Sequence, residues 1–151
     1  MNANFRRAAL AAALGLAMAG PAAAQAASLP TVQKSGSVEY MTGGVGQDEA
    51  TAMEREAGRW PMALEFAVRD GKKADFAADV HVRIRDAERN VVLDTTADGP
   101  FVLAKLEPGR YRVEATLAGK TLRRDVTVGK GHARTLFEWP AGTGEETSPA
   151  G

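Results

Sequence analysis

Between positions 62 and 137 the apolar residues of this chain recur at every second position, and that alternation limits the fold more than any other feature. Met62, Leu64, Phe66 and Val68 alternate with Ala63, Glu65 and Ala67; Val80, Val82 and Ile84 alternate with His81, Arg83 and Arg85. The clearest case is Tyr111, Val113, Ala115 and Leu117 set against Arg110, Arg112, Glu114 and Thr116. Successive side chains of a strand point to opposite faces, so each segment has one apolar face to bury and a second face for water. Further strands are expected at 91–95, 101–103, 121–128 and 133–139, punctuated by Asp70-Gly71, Asp98-Gly99, Gly119-Lys120 and the 129–131 turn, and closed by Pro140. No helix-length segment separates these strands. The pattern predicts an all-β fold, an antiparallel Greek-key sandwich of about seven strands with one short N-terminal helix.

That helix is expected at 47–57, with Asp48 and Glu49 at its start and Gly58 just past its end. Ala50, Met53 and Ala57 would form a thin apolar stripe along it. Before it, Val38-Glu39-Tyr40-Met41 reads as a short strand and Gly43-Gly44-Val45-Gly46 as a flexible turn. The glycines do not make a phosphate cradle, because no Gly-Lys-Ser/Thr follows and the two acids at the helix start would repel phosphate. The segment from Tyr40 to Gly58 therefore either packs over one sheet or forms a partner-binding surface.

At the N-terminus, Arg6 and Arg7 precede a charge-free stretch over 8–20, then Pro21 and small residues through Ala27. These are the parts of a secretory signal peptide, expected over 1–26. The stretch is too short and too rich in alanine for a membrane anchor, so no stable membrane insertion is expected after cleavage. The chain has no cysteine, which excludes disulfides, thiolate metal sites, a cysteine nucleophile and a lipoprotein anchor. The expected organisation is signal peptide 1–26, flexible leader 27–37, strand, glycine-rich loop and helix 38–60, sandwich 61–140 and disordered tail 141–151. The expected location is the periplasm of a Gram-negative bacterium, with secretion second.

The 19 basic and 19 acidic residues balance, so there is no general attraction to nucleic acid or to anionic lipid. Arg83, Arg85, Arg110, Arg112, Arg123 and Arg124 fall at outward strand positions or turns where Glu65, Glu114 and Asp125 can face them. This reads as a solvated mixed-charge face.

The stretch Asp98-Gly99-Pro100-Phe101, then Leu106-Glu107-Pro108-Gly109-Arg110-Tyr111-Arg112-Val113, then Gly119 and Val126-Thr127-Val128, resembles the carboxypeptidase regulatory-like domains, which are prealbumin-like (transthyretin-like) β-sandwiches. The likeness runs over about 80–128, and the block from Tyr40 to Gly46 is similar to a group of exported bacterial proteins carrying such a domain. The resemblance implies a fold and no particular activity. The residues account for the motif physically. Pro108 presets φ at the second position of a turn, and Gly109 would supply the positive φ of a type II turn. Tyr111 could then return its hydroxyl to nearby backbone, as a tyrosine corner does.

Catalytic signatures are lacking. His81 and His132 sit in no zinc motif, no G-x-S-x-G is present, and Asp48, Asp94 and Asp98 read as turn formers outside any calcium-loop pattern. No catalytic residue, metal or cofactor is expected. Trp60 and Trp139 are the candidate ligand or partner contacts, although each flanks a proline at a strand end, where packing is the commoner role. The first functional expectation is a non-catalytic module of the cell envelope that binds an unidentified envelope protein through a sheet edge or loops. The second is carbohydrate binding, which would need both tryptophan rings exposed on one face. The third is a transthyretin-like hydrolase, which would need His81, Arg83 and Arg85 clustered in a cleft. The resemblance speaks against that activity, since the enzymes nearest this fold end in Tyr-Arg-Gly-Ser and this chain ends Glu146-Thr147-Ser148-Pro149-Ala150-Gly151.

Overall fold

The computed structural model describes residues 28–144; the signal peptide expected over 1–26 and the tail from 145 onward lie outside the described residues. In chain order the elements are β1 (Gln33–Ser35), β2 (Val38–Gly43), α1 (Gln47–Ala57), β3 (Met62–Asp70), β4 (Lys73–Phe76), β5 (His81–Arg85), β6 (Val91–Thr96), β7 (Phe101–Ala104), β8 (Gly109–Leu117), β9 (Lys120–Val128) and β10 (Ala133–Trp139). They form two sheets. The first runs β1-β2-β7-β3-β10 with β4 also paired to β3, and the second runs β6-β5-β8-β9. The chain is an all-β sandwich, as its alternating pattern predicts.

The inward positions of both sheets meet in one core. Met62, Leu64 and Phe66 of β3, Val82 and Ile84 of β5, Val113 and Ala115 of β8 and Phe137 of β10 are all fully buried there. Phe66, Phe137 and Trp139 pack with ring centroids 5.8–6.4 Å apart. Each such side chain contributes roughly 1.5–3 kcal/mol by leaving water.

A second, smaller cluster lies on the other side of the first sheet. Met41 of β2, Ala63 of β3 and Phe101 and Leu103 of β7 point away from the sandwich core and are covered by Ala50, Met53 and Ala57 of α1, with Trp60 beside them. The first sheet is thus buried on its inner face and, beneath α1, on its outer face as well, whereas the second is buried on one face. The helix has the bounds and the buried stripe that the sequence predicts. Its glycine stop is of a different kind, because Gly58 is right-handed (φ −69°) and the chain continues through hydrogen bonds from Arg59 N to Glu56 O and Trp60 N to Ala57 O.

The organisation departs from expectation in several places. Residues 33–35, expected within a loose leader, form β1 by antiparallel pairing with β2. The 38–60 segment belongs to the sandwich, since β2 pairs with β7 along Tyr40–Ala104 to Gly43–Phe101. Ten strands form among the described residues where about seven were expected; β1 and the exposed β4 carry no apolar alternation to reveal them. The β3–β10 ladder is parallel, Met62 opposite Ala133 through Val68 opposite Trp139. A hairpin partner must run antiparallel, but β10 reaches β3 by crossing from the other sheet, and its direction is free of that constraint. Thr143, in the expected tail, is buried and bonds through its hydroxyl to Pro140 O at 2.7 Å.

The glycine-rich segment is not a flexible turn. Gly43 and Gly44 are buried. A Cβ on Gly44 (φ +100°) would sit 2.5 Å from the Phe101 ring, and one on Gly99 would meet the backbone of Gly43. These glycines let two backbones and an aromatic ring approach more closely than any side chain allows. Packing fixes the segment, and it launches α1 across the sheet.

Candidate functional site

The outer face of the first sheet is only partly covered. Helix α1 lies over β2, β7 and the start of β3, leaving the end of β3 at Arg69 and Asp70 and its hairpin partner β4 exposed. Along β4 every residue is exposed, and Phe76, opposite Ala67 of β3, projects onto this outer face. Its ring is 55 % exposed and packs against Phe101 at 5.9 Å between centroids. Between α1 and β4 opens a groove of about 500 Å³, lined by Gly44, Val45, Ala50, Phe76, Ala77 and Pro100, with Gln47, Thr51 and Glu54 of the helix along one side. Val45 stands at its mouth, 64 % exposed.

The groove is held by fixed parts. Glu49 Oε1 accepts from Gly44 N at 2.8 Å, anchoring the loop before the helix. The Thr42 hydroxyl accepts from Asp98 N at 3.0 Å, fixing the loop that carries Gly99 and Pro100. Arg134 of β10 reaches Glu65 at 3.0 Å and Glu54 of α1 at 3.6 Å, bracing the helix against the sheet. The lining carries no histidine, and its one hydroxyl, Thr51 Oγ1, donates to Gln47 O at 2.9 Å. Such a surface can take in an apolar side chain. Beside it, the edge of β4 away from β3 pairs with no other strand among the described residues.

The two tryptophans proposed from sequence are both buried. Trp139 is 1 % exposed in the sandwich core, where Nε1 donates to Lys120 O at 3.0 Å. Trp60 is 7 % exposed under the helix, donating to Glu56 Oε1 at 3.1 Å, with Lys105 Nζ 5.9 Å from its ring. They lie on opposite faces of one sheet, in different clusters, so they cannot form one stacking platform.

The tyrosine corner is present: Tyr111 Oη donates to Glu107 O at 2.6 Å. Burial first, then Glu107 and Asp86, push this phenol above its ordinary value. The turn before it differs from expectation. Gly109 has φ +159°, almost extended, where a type II turn requires about +80°. Gly109 already pairs with Val128 as the first residue of β8, so the ladder sets its conformation.

On the outer face of the second sheet, His81 Nε2 and Arg83 Nε meet the Asp94 carboxylate at 2.6 Å and 3.2 Å. Partial burial raises the Asp94 carboxyl, but the hydrogen bonds from His81 and Arg83 outweigh it and hold the group below its ordinary value. Arg85 lies further along β5, opposite Arg112, so the three residues do not share a cleft. His132, expected at the surface, points Nδ1 at Trp60 O at 3.1 Å and ties the β9–β10 turn to the start of β3. No group of three or more histidine, aspartate or glutamate side chains among the described residues could hold a metal ion, and no described helix is long and apolar enough to cross a membrane.

The groove was not anticipated. Its sequence signal is Phe76, a lone aromatic within the polar run from Arg69 to Asp79. Comparison with known proteins returns no match: no family model fits the sequence, and neither a curated protein nor a solved structure is similar to it.

Proposed function

We propose that this chain is an exported, non-catalytic β-sandwich module of the cell envelope that binds an extended segment of a partner protein along the free edge of β4. The segment adds backbone hydrogen bonds to that edge and seats one apolar side chain in the groove beside α1. This is strand addition, in which main-chain pairing provides affinity and a pocket provides selectivity. One observation carries the reading: an apolar groove with Phe76 and Val45 exposed at its walls adjoins a strand edge without a partner among the described residues. Lys72 and Lys73 at the head of β4 keep the edge soluble when it is empty. That the sandwich is a carboxypeptidase regulatory-like domain is part of the same proposal, and it implies a fold and no particular activity.

The test is capture from an envelope extract by the purified protein and by Phe76→Asp, a substitution at an exposed position that should leave the fold intact. The expected result is a discrete partner retained by the first and lost, by about tenfold or more, from the second. Equal retention by both, or no partner above control, overturns the reading.

A further inference from the structure

The opposite face of the molecule carries a second cavity, of about 650 Å³, where the β5–β6 loop overhangs the start of β8 and the end of β9. Four of its lining residues are arginines: Arg85, Arg89, Arg110 and Arg112. Its three acids are already engaged. Asp125 holds Arg112 at 3.0 Å, Glu114 faces Arg123 at 3.8 Å, and Asp86 Oδ1 accepts from the backbone N–H groups of Glu88 and Asn90 at 2.9 Å each. Among the described residues, Arg85, Arg89 and Arg110 have no carboxylate within 4.0 Å.

Two features make this more than a charged surface. Arg85 Nε is buried and has no hydrogen-bond partner, a cost in stability that no structural pairing of this guanidinium offsets. Arg89 stands at φ +69°, a left-handed position that closes the loop and that glycine or asparagine would occupy at lower cost. Arginine there places a third guanidinium at the cavity mouth. Planar N–H forks pair best with carboxylate and phosphate oxygens.

We infer that this cavity is a binding site for a small polyanion, whose carboxylate or phosphate oxygens are gripped by the guanidinium groups of Arg85, Arg89 and Arg110. It lies on the second sheet, across the core from the groove, and stands independently of the proposed partner binding.

The test is an NMR titration of the protein with citrate and, separately, with pyrophosphate at low ionic strength, repeated on Arg85→Met and Arg110→Gln. The expected result is saturable shifts confined to residues 85–89 and 110–112, weakened about tenfold or more in each variant and reduced by added salt. Tighter binding of citrate assigns carboxylates, and tighter binding of pyrophosphate assigns phosphates. Arg110 is exposed, so Arg110→Gln reports on binding without disturbing the fold. A purely structural Arg85 would lower the melting temperature on substitution, whereas a ligand residue with an orphaned donor leaves it equal or higher in Arg85→Met. The inference is overturned by dissociation constants weaker than about 10 mM for both probes, by equal shifts at Arg69 or Arg124, or by variants that bind as the parent does.

Discussion

The two sheets are built from similar alternating strands, yet their outer faces have opposite fates. In the second sheet the outward positions include His81, Arg83, Asp94, Arg112, Glu114, Arg123 and Asp125, which form ion pairs in water, His81 and Arg83 with Asp94, Arg112 with Asp125 and Arg123 with Glu114. In the first sheet the outward positions of β2, β3 and β7 include Met41, Ala63, Phe101 and Leu103, and a helix must cover them. Strand β7 shows why: Phe101, Val102, Leu103 and Ala104 are all buried, so the run is apolar at both parities. A continuous apolar run signals a strand covered on both faces, and a broken one signals a face left to solvent. The difference between the faces lies in which outward residues the strands carry.

The largest expected effect tests that contrast directly. Phe101→Ala removes a 1 %-exposed ring from beneath α1 and should destabilise by about 3 kcal/mol or more in a denaturant titration. A cost below about 1 kcal/mol would mean that the helix is an ornament on the sheet and not its cover.

Tyr111→Phe probes the second sheet where it meets the core and should cost about 1 kcal/mol by removing the bond to Glu107 O. Because the folded-state pKa of this phenol is raised, its contribution is full below its ordinary value near 10.0 and is lost as pH rises through the folded value. Melting curves of the parent protein should therefore fall above about pH 10, and those of Tyr111→Phe should fall less. An unchanged melt at neutral pH would remove the corner from the account of stability.

Asp94→Asn should have the smallest effect, under about 1 kcal/mol, since its ion pairs with His81 and Arg83 are largely exposed. The folded-state pKa of Asp94 is lowered, so its contribution is present above about pH 4 and is lost as pH falls through the folded value. The acid limb of the stability profile should flatten in the variant. A loss as large as that of Phe101→Ala would show that the charged face contributes to stability as much as the covered one.

Much of this was legible beforehand. Strands β2, β3 and β5 to β10 were readable because apolar period and turn residues are local properties, and α1 because acids, an apolar stripe and a glycine bracket it within one short window. Tyr111 was readable as a corner because its partner carbonyl lies four residues away. The roles of Trp60 and Trp139 were not readable, because a tryptophan at a strand end looks the same in sequence whether its ring turns inward or outward. The same holds for Gly44 and Gly99, whose glycine identity is explained by contacts across more than fifty positions of chain. Both cavities escaped for this reason as well. One joins α1 to Phe76, and the other joins the β5–β6 loop to β8 and β9.

The sequence by itself determined that this protein builds two layers of strands with a short helix, because the hydrophobic period acts on each segment before the segments meet. Only the tertiary structure decided that the helix covers one sheet, that β10 runs parallel to β3, and that four arginines gather around one cavity. Those outcomes depend on which distant surfaces exclude water together, and that is a property of the assembled chain.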